Sequence, residues 1–306
     1  MPSATGVNMT GVGIIGLGAM GRPMAKNLID RSSHTVHVTG RGAARYADLV
    51  AAGAQWHDNP RSLAAAVDVV ILMLPDLPEV EAVLGGLDGL LAAQPDDLLL
   101  VISSTSSPSG VRELAQRLEQ EHAGAVRVVD APVSGGVDGA EAATLSVMIG
   151  GRDEDAATAA GILAAVGNPV HLGPLGAGQV AKACNQLIVA STILALGEAA
   201  VLAERSGLDL AKLFDLFAGG YADSRILRTR GQRIVEEDYS PSGTARYMVK
   251  DLDFATSVAT LTGTRPVLLP AVKAAFEELT ERGLGDRDIS VTRAFIEGRV
   301  APVTPG

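Results

Sequence analysis

Lys182 is the side chain in this sequence best suited to moving a proton, and Asn185 is its nearest polar companion on the same helical stretch. They lie three residues apart in the segment Gly176-Ala177-Gly178-Gln179-Val180-Ala181-Lys182-Ala183-Cys184-Asn185, where a glycine loop leads into helical positions. Residues at that spacing share one face of a helix. The residues beside Lys182 are small and apolar, and burial lowers a lysine pKa from about 10.4 toward neutrality, which suits a general acid or base. A lysine on a helix is usually a solvated surface charge, and the small apolar neighbours of Lys182 leave a buried, catalytic lysine as the other interpretation.

A second segment, Asp130-Ala131-Pro132-Val133-Ser134-Gly135-Gly136, has the composition of an anion-binding loop. An apolar strand precedes it, and consecutive N–H groups at Ser134, Gly135 and Gly136 can surround a carboxylate, to which the Ser134 hydroxyl adds a further donor. We therefore predict that these three residues bind a carboxylate-bearing substrate. The alternative is an ordinary turn.

A third segment, Gly16-Leu17-Gly18-Ala19-Met20-Gly21, has the glycine spacing of a dinucleotide-binding turn. The apolar run Val12 to Ile15 precedes it, and residues 23–29 have a helical pattern. In such a turn the first glycine permits a sharp bend, the second lets the backbone approach a pyrophosphate, and the third lets helix and strand pack closely. The N-terminus of the following helix offers N–H groups to the phosphates. The order of elements favours cofactor binding over a purely structural turn.

Arg41 bears on which dinucleotide is bound. In these domains an acidic residue at the end of the second strand binds the ribose hydroxyls of NAD, whereas an arginine accommodates the 2′-phosphate of NADP. The strand Val36-His37-Val38-Thr39 is followed by Gly40-Arg41-Gly42, with no acidic residue. We therefore predict that NADP is preferred, with NAD still possible. The alternative is that Arg41 is a solvated loop residue.

Two further strand ends supply candidate cleft residues, because ligands of doubly wound sheets bind outside the carboxyl ends of the strands. Met73, Leu74 and Pro75 follow one apolar strand, and Ser103-Ser104-Thr105 follows the next. We expect Met73, Leu74 and Pro75 to line the cofactor cleft, although a buried strand end explains them equally well. Thr105 is expected beside the nicotinamide, unless its segment only caps the following helix.

The elements that must position these residues change type along the chain. The first half alternates short apolar strands with helical stretches, which predicts a Rossmann-type, doubly wound, mostly parallel α/β sheet. After a Gly- and Pro-rich stretch at 168–178 only helical patterns follow. We predict a dinucleotide-binding domain over 9–170 and an all-helical substrate and dimerisation domain over 171–300, with loose tails at 1–8 and 300–306. The predicted strands are Val12–Ile15, Val36–Thr39, Val69–Leu74, Leu98–Ser103, Val126–Val129 and Leu145–Ile149.

Composition excludes several classes of function. The formal net charge is −10 over 306 residues and no Lys/Arg-rich block is present, which argues against nucleic-acid and anionic-membrane binding. Residues 186–203 are the nearest approach to a membrane span, and a buried helix explains them better. The single cysteine, Cys184, permits no intrachain disulfide and fits a cytoplasmic location. The five histidines lack the spacing of metal ligands, so we predict no metal site.

The four segments Gly16–Gly21, Asp130–Gly136, Gly178–Asn185 and Lys250-Asp251-Leu252 occur in the order found in the β-hydroxyacid dehydrogenases. The chain resembles this family, which includes 3-hydroxyisobutyrate dehydrogenase and tartronate semialdehyde reductase, over roughly residues 9–297. The resemblance implies an NAD(P)-dependent oxidoreductase that interconverts a small 3-hydroxy acid and its semialdehyde by hydride transfer.

The resemblance also implies a role for each matching residue. Lys182 would be the catalytic acid/base, and Asn185 would hydrogen-bond the substrate. Ser134, Gly135 and Gly136 would bind the substrate carboxylate, and Thr105 would lie by the nicotinamide. Lys250 would lie near both cofactor and substrate. Arg41 falls where NADP-preferring members have Asn-Arg-Thr, although here glycines flank it.

Two departures from the family pattern leave the substrate open. Ala143 stands where the family motif has glycine, and Ser242-Gly243-Thr244-Ala245-Arg246 replaces a segment that often holds a phenylalanine. Arg246 is therefore a candidate substrate-binding cation.

Two other functions remain as alternatives. Imine reductases share the fold but usually have Asp or Tyr in place of the lysine, and a non-catalytic dinucleotide-binding protein is also conceivable. The apolar stretch Leu187–Leu202 predicts a homodimer or homotetramer through the helical domain.

Overall fold

The first half of the chain folds around one large sheet. The computed structural model describes residues 11–299, so both predicted tails lie outside the described residues. The strands are β1 Val12–Ile15, β2 Val36–Thr39, β3 Gln55–His57, β4 Val69–Leu72, β5 Leu98–Ile102, β6 Val126–Asp130, β7 Val133–Ser134, β8 Leu145–Gly150 and β9 Gly167–Gly173. Their spatial order is β3-β2-β1-β4-β5-β6-β8-β7, with β9 beside β8. Strands β1 to β6 pair in parallel, β8 runs antiparallel to β6 and β7, and β9 is parallel to β8.

Helices connect these strands and then make up the rest of the chain. They are α1 Gly21–Arg31, α2 Ala47–Ala51, α3 Pro60–Ala64, α4 Leu77–Leu84, α5 Pro108–Glu121, α6 Gly136–Glu141, α7 Asp153–Leu163, α8 Ala177–Arg205, α9 Leu210–Phe217, α10 Arg225–Val235, α11 Tyr247–Thr262, α12 Leu269–Glu281 and α13 Thr292–Glu297. Short 3₁₀ turns occupy Ala43–Tyr46, Leu90–Ala93 and Ile289–Val291. The predicted fold class, a doubly wound sheet followed by helices, is confirmed.

Alternation along the strands explains why the sheet has two apolar faces. In β4, Val69 and Ile71 belong to one buried cluster, and Val70 and Leu72 belong to another. Successive side chains of a strand point to opposite faces, so a strand covered by helices on both sides must be apolar at every position. All four residues of β4 are buried accordingly.

A separate apolar core holds the helices after residue 182. The division between two compact units falls after Lys182, so α8 contributes residues to both. The second core includes Ile193 from α8, Phe276 from α12 and Phe295 from α13. Within residues 183–299 the only strand-like pairing is an isolated bridge between Thr244 and Asp288. The predicted domain limits, 9–170 and 171–300, stay a prediction; residue 170 itself lies inside β9.

Helix α8 is long and apolar enough to cross a bilayer, judged by length and composition alone. Its residues Ala190, Ile193, Leu196 and Ala200 are buried in the second core. A core helix of a globular protein passes the same test of composition, and this packing fits that interpretation.

Three strands and one long helix were not expected from the sequence. Strands β3 and β7 are only three and two residues long. Strand β9 lies mostly in the Gly- and Pro-rich stretch, where no strand was predicted, and its extended conformation comes with pairing to β8. Helix α7 was missed although its buried residues Ala156, Ala159, Ile162 and Leu163 have helical spacing.

Candidate active site

The glycine turn after β1 is closely packed at two positions and open at one. Gly16 has φ +98°, and a Cβ there would lie 2.1 Å from the carbonyl oxygen of Met73. A Cβ on Gly21 would lie 1.9 Å from the oxygen of Gly16, whereas one on Gly18 would meet no heavy atom within 4 Å. The backbone at Gly18 is thus left accessible to a ligand.

The start of α1 is suited to an anion. No side chain caps it at Met20, and its first turn holds no acidic residue. The Arg22 N–H already donates to the Gly18 carbonyl and Pro23 has no N–H, so this first turn offers an anion chiefly the positive end of the helix dipole. A dinucleotide pyrophosphate fits this turn. Of the remaining turn residues, Leu17 is buried and Ala19 is exposed.

Arginines mark the end of β2. Arg41 is exposed between Gly40 and Gly42, and Gly42 has φ +89°. Arg45 lies four residues further on, with its guanidinium 5.9 Å from the ring centre of Tyr46. Arg45 was not among the cofactor-binding residues predicted from the sequence, although it lies in the same loop as Arg41.

Ser104 joins the ends of β4 and β5. Its hydroxyl accepts a hydrogen bond from the Leu74 N–H at 3.1 Å, in the loop that also contains Met73 and Pro75. Thr105 follows in the β5 loop and is half-buried. The structure therefore brings the two predicted cofactor loops together.

The predicted carboxylate loop contains a sharp backbone bend. Ser134 ends β7, and Gly135 and Gly136 both have positive φ, +140° and +65°. Glycine adopts these angles without steric cost, and α6 begins at Gly136. Ser134, Gly135 and Gly136 thus form a turn between a strand end and a helix start.

The carboxylate of Asp130 fixes the start of α8. It accepts hydrogen bonds from the N–H of Gly176 at 2.6 Å and of Gln179 at 2.7 Å. Asp130 is fully buried, and this burial raises the pKa of its carboxyl to about 6, against the two hydrogen bonds that favour the charged form. Lys182 lies in the next turn and is buried, 7% exposed.

Gln179 links the same helix to the β5 loop. Its side-chain oxygen accepts from the Ser106 N–H at 2.9 Å, and its side-chain nitrogen donates to the Ser104 carbonyl at 2.8 Å. Both backbone groups flank Thr105. The motifs containing Asp130 and Gln179 were recognised from the sequence, but neither side chain was assigned a role.

Asn185 and Lys250 meet through a polar chain in the second unit. Asn185 donates to the side-chain oxygen of Gln186 at 2.9 Å, and Gln186 donates to Asp251 at 2.5 Å. The Lys250 ammonium lies 3.9 Å from an Asp251 oxygen and 5.1 Å from the ring centre of Phe254. This row of polar contacts was not predicted, because Asn185 and Lys250 are far apart in sequence.

Arg246 is engaged elsewhere. Its guanidinium forms an ion pair with Asp286 at 2.6 Å, and both side chains are well exposed. A substrate carboxylate would have to compete with Asp286 for this cation.

Two family models cover the chain. The model for the NAD-binding domain of 6-phosphogluconate dehydrogenase matches residues 11–176. The model described as the NAD-binding part of NADP-dependent 3-hydroxyisobutyrate dehydrogenase matches residues 176–295. The 2-hydroxy-3-oxopropionate reductase of Escherichia coli is 36% identical over 249 residues, which make up 81% of this chain and 84% of the reductase. The chain belongs to the β-hydroxyacid dehydrogenase family.

Other relatives agree with this membership. The NAD-dependent L-serine dehydrogenase of Pseudomonas aeruginosa is 33% identical, with 94% of this chain and 98% of the relative covered. The solved structure of Mycobacterium tuberculosis 3-hydroxyisobutyrate dehydrogenase with L-serine is 32% identical and has a TM-score of 0.79, covering 94% and 99% of the two chains. This β-hydroxyacid dehydrogenase family member is thus an NAD(P)-dependent oxidoreductase. An imine reductase structure from Pseudomonas, 23% identical, shares the fold alone.

The histidines of this family member do not gather into a metal site. Within residues 11–299 no group of three or more His, Cys, Asp or Glu side chains could hold a metal ion. His37 and His57 are hydrogen-bonded to each other at 2.8 Å on adjacent strands. Burial lowers the pKa of both rings, which favours two neutral imidazoles, one donating its N–H to the unprotonated nitrogen of the other.

Proposed function

We propose that this chain catalyses NADPH-dependent interconversion of a small 3-hydroxy acid and its semialdehyde, with Lys182 as the general acid/base. One observation carries the proposal: Lys182 is buried on a helix whose first turn is held by Asp130 at the end of β6, the strand that leads into the carboxylate loop. The names of the relatives support a hydroxyacid substrate class.

The roles divide among the residues as follows. The turn Gly16–Gly21 would hold the pyrophosphate, with Met73, Leu74, Pro75 and Thr105 toward the nicotinamide end of the cofactor. Ser134, Gly135 and Gly136 would bind the substrate carboxylate, and Asn185 and Lys250 would hydrogen-bond the substrate. Bound nicotinamide supplies or accepts the hydride. Lys182 gives a proton to the carbonyl oxygen during reduction and removes it from the hydroxyl during oxidation.

The test of this mechanism is substrate turnover by Lys182→Ala. A panel of tartronate semialdehyde, methylmalonate semialdehyde, succinic semialdehyde, glyoxylate and a cyclic imine is offered with NADPH and with NADH. We expect wild-type turnover of a semialdehyde, and a loss of about 10²–10⁴-fold in the variant with NADPH binding retained. Lys212→Ala, at an exposed lysine, is the matched control. Full activity of Lys182→Ala would refute the mechanism, and turnover of the imine alone would indicate an imine reductase.

The preference for NADP rests on Arg41 and Arg45. Both are exposed, and residues 40–46 contain no acidic side chain that would bind the ribose hydroxyls of NAD. We expect Arg41→Ala and Arg45→Ala to weaken NADPH binding by about 10-fold or more, the size of a charge-assisted hydrogen bond, and to leave NADH binding unchanged. Arg61→Ala is the control on an exposed arginine outside the loop. Equal losses for both cofactors would contradict a 2′-phosphate contact.

We also propose a cytoplasmic homodimer or homotetramer assembled through the helical region. Large apolar side chains are exposed in the second unit, with Ile188, Leu202 and Leu216 at 66%, 69% and 73%. A contiguous exposed apolar surface marks an association site, and we infer that these side chains contribute to one. Sedimentation at micromolar concentration tests this, and a monomer would refute it.

A further inference from the structure

The side-chain amide of Gln179 occupies an unusual position between two backbone groups. Gln179 is 1% exposed, and its amide accepts from the Ser106 N–H and donates to the Ser104 carbonyl. The peptide groups it grips lie on either side of Thr105. One side chain is thus hydrogen-bonded to the backbone on both sides of Thr105, in the loop that we assign to the nicotinamide.

The backbone of Gln179 is fixed as firmly as its side chain. Its N–H donates to Asp130, which also accepts from Gly176. The backbone is closely packed at two glycines near Asp130. A Cβ on Gly150 would lie 2.4 Å from an Asp130 oxygen, and one on Gly178 would lie 2.1 Å from the Met148 carbonyl oxygen. The first turn of α8 is therefore locked to the ends of β5 and β6.

Lys182 follows Gln179 by three residues, so the two share a face of α8. We propose that Gln179 is a positioning residue: it sets the placement of the Lys182 ammonium relative to the Thr105 loop, and hence of the proton donor relative to the nicotinamide. The proposal rests on the function proposed above, since it takes Lys182 as the acid/base. A misplacement of about 1 Å can cost about 100-fold in rate.

Only a side-chain amide of this length satisfies the arrangement at neutral pH. Ser106 needs an acceptor and Ser104 needs a donor, so the amide orientation is dictated by its partners. A leucine of similar size supplies neither. An ionised glutamate can accept from Ser106 but turns a second acceptor toward the Ser104 carbonyl, whereas a protonated glutamate restores both hydrogen bonds.

The experiment compares Gln179→Glu and Gln179→Leu with wild type in the full chain loaded with NADPH. We expect both variants to keep the NADPH dissociation constant within about threefold while kcat falls about 10- to 100-fold at pH 8. The primary isotope effect with deuterated NADPH should rise, because hydride transfer becomes rate-limiting. Asp130 and Lys182 face the same turn and can titrate in this range, so kcat is expressed relative to wild type at each pH. On that scale Gln179→Glu should regain kcat as the pH is lowered to 6, and Gln179→Leu should not. Gln116→Glu and Gln116→Leu, at an exposed glutamine of α5, are the matched controls.

Two readouts need no turnover. Hydrogen exchange at the Ser106 amide should accelerate at least about tenfold in Gln179→Leu, because its acceptor is gone, and the fluorescence of bound NADPH should shift as the nicotinamide environment changes. If wild type reduces no substrate, the proposed function fails, and these two measurements still decide whether Gln179 orders the loop. The inference would be overturned if Gln179→Leu had the same kcat, Ser106 hydrogen-exchange rate and NADPH fluorescence as wild type. It would also be overturned if the fractional loss of kcat in Gln179→Leu were no larger than the fraction of the variant that is unfolded.

Discussion

Asp130 in the first unit and Asp288 in the second are both fully buried, yet their carboxyl groups have opposite pKa shifts. Burial raises the pKa of Asp130 to about 6, because two backbone N–H groups do not offset the loss of water. The pKa of Asp288 is lowered despite burial, since Ser242, Ser290 and Gly243 donate to it and Arg230 adds positive charge. Burial alone therefore does not decide whether an aspartate is charged; the number and charge of its donors does.

The two carboxylates also hold different kinds of structure. Asp130 fixes the start of α8, the helix that carries Lys182. Asp288 caps the short turn Ile289–Val291 and joins it to residues 242–243, a role confined to the helical core. We interpret the first as part of the catalytic arrangement and the second as a folding element.

We expect the largest loss in the free energy of unfolding from Asp288→Ala, and this variant tests whether Asp288 is a folding element. The substitution removes three hydrogen bonds, at 2.5, 2.9 and 3.0 Å, and the carboxylate partner of Arg230. Removing the buried member of an ion pair together with its hydrogen bonds costs about 3–5 kcal/mol in the free energy of unfolding, which urea denaturation measures. Asp286→Ala, at an exposed ion pair, should cost at most about 1 kcal/mol. Similar losses in the two variants would contradict a structural role specific to Asp288.

A pH titration of stability tests the raised pKa of Asp130 directly. Between about pH 4 and pH 6 the folded protein binds more protons at Asp130 than the unfolded chain, so this residue makes stability fall as pH rises, by about 3 kcal/mol in total. Asp288 acts in the other direction below about pH 4, where the unfolded chain binds more protons and stability falls with falling pH.

The measurement is the free energy of unfolding of wild type and Asp130→Asn from pH 4 to pH 7.5. The stability of wild type relative to the variant should decrease across this range. A constant difference would show that the Asp130 carboxyl has an ordinary pKa.

The smallest effect concerns the glycines beside the two carboxylates. A Cβ on Gly178 would lie 2.1 Å from the Met148 oxygen and 2.8 Å from Asp130, whereas on Gly243 the nearest atom, an oxygen of Asp288, is 3.8 Å away. We expect Gly178→Ala to destabilise by about 1–3 kcal/mol through overpacking, even though alanine favours a helix by up to about 1 kcal/mol. Gly243→Ala should stay within about 0.5 kcal/mol. Thermal unfolding compares Gly178→Ala with Gly243→Ala. Equal shifts in Tm would mean that the space around Gly178 can accept a methyl group after all.

Local sequence patterns determined the order of elements. The six strands predicted from apolar runs are all present, because strands covered on both faces are mostly apolar and are therefore visible as apolar runs in the sequence. The turn Gly16–Gly21 could also be predicted from the sequence, because its glycines are required locally by a positive φ or by close packing. These features depend on neighbours within a few residues, so a linear sequence records them.

Tertiary structure alone decided which groups meet. Strand β9 is extended because β8 pairs with it, although Pro169 and the flanking glycines gave no strand pattern in the sequence. Asp130 reaches Gly176 and Gln179 more than forty residues away, and Gln179 reaches Ser104 and Ser106 more than seventy residues away. Nothing in the chemistry of an aspartate or a glutamine states in advance which backbone groups it will satisfy. That assignment follows from the strand order, which brings the ends of β5 and β6 to the start of α8.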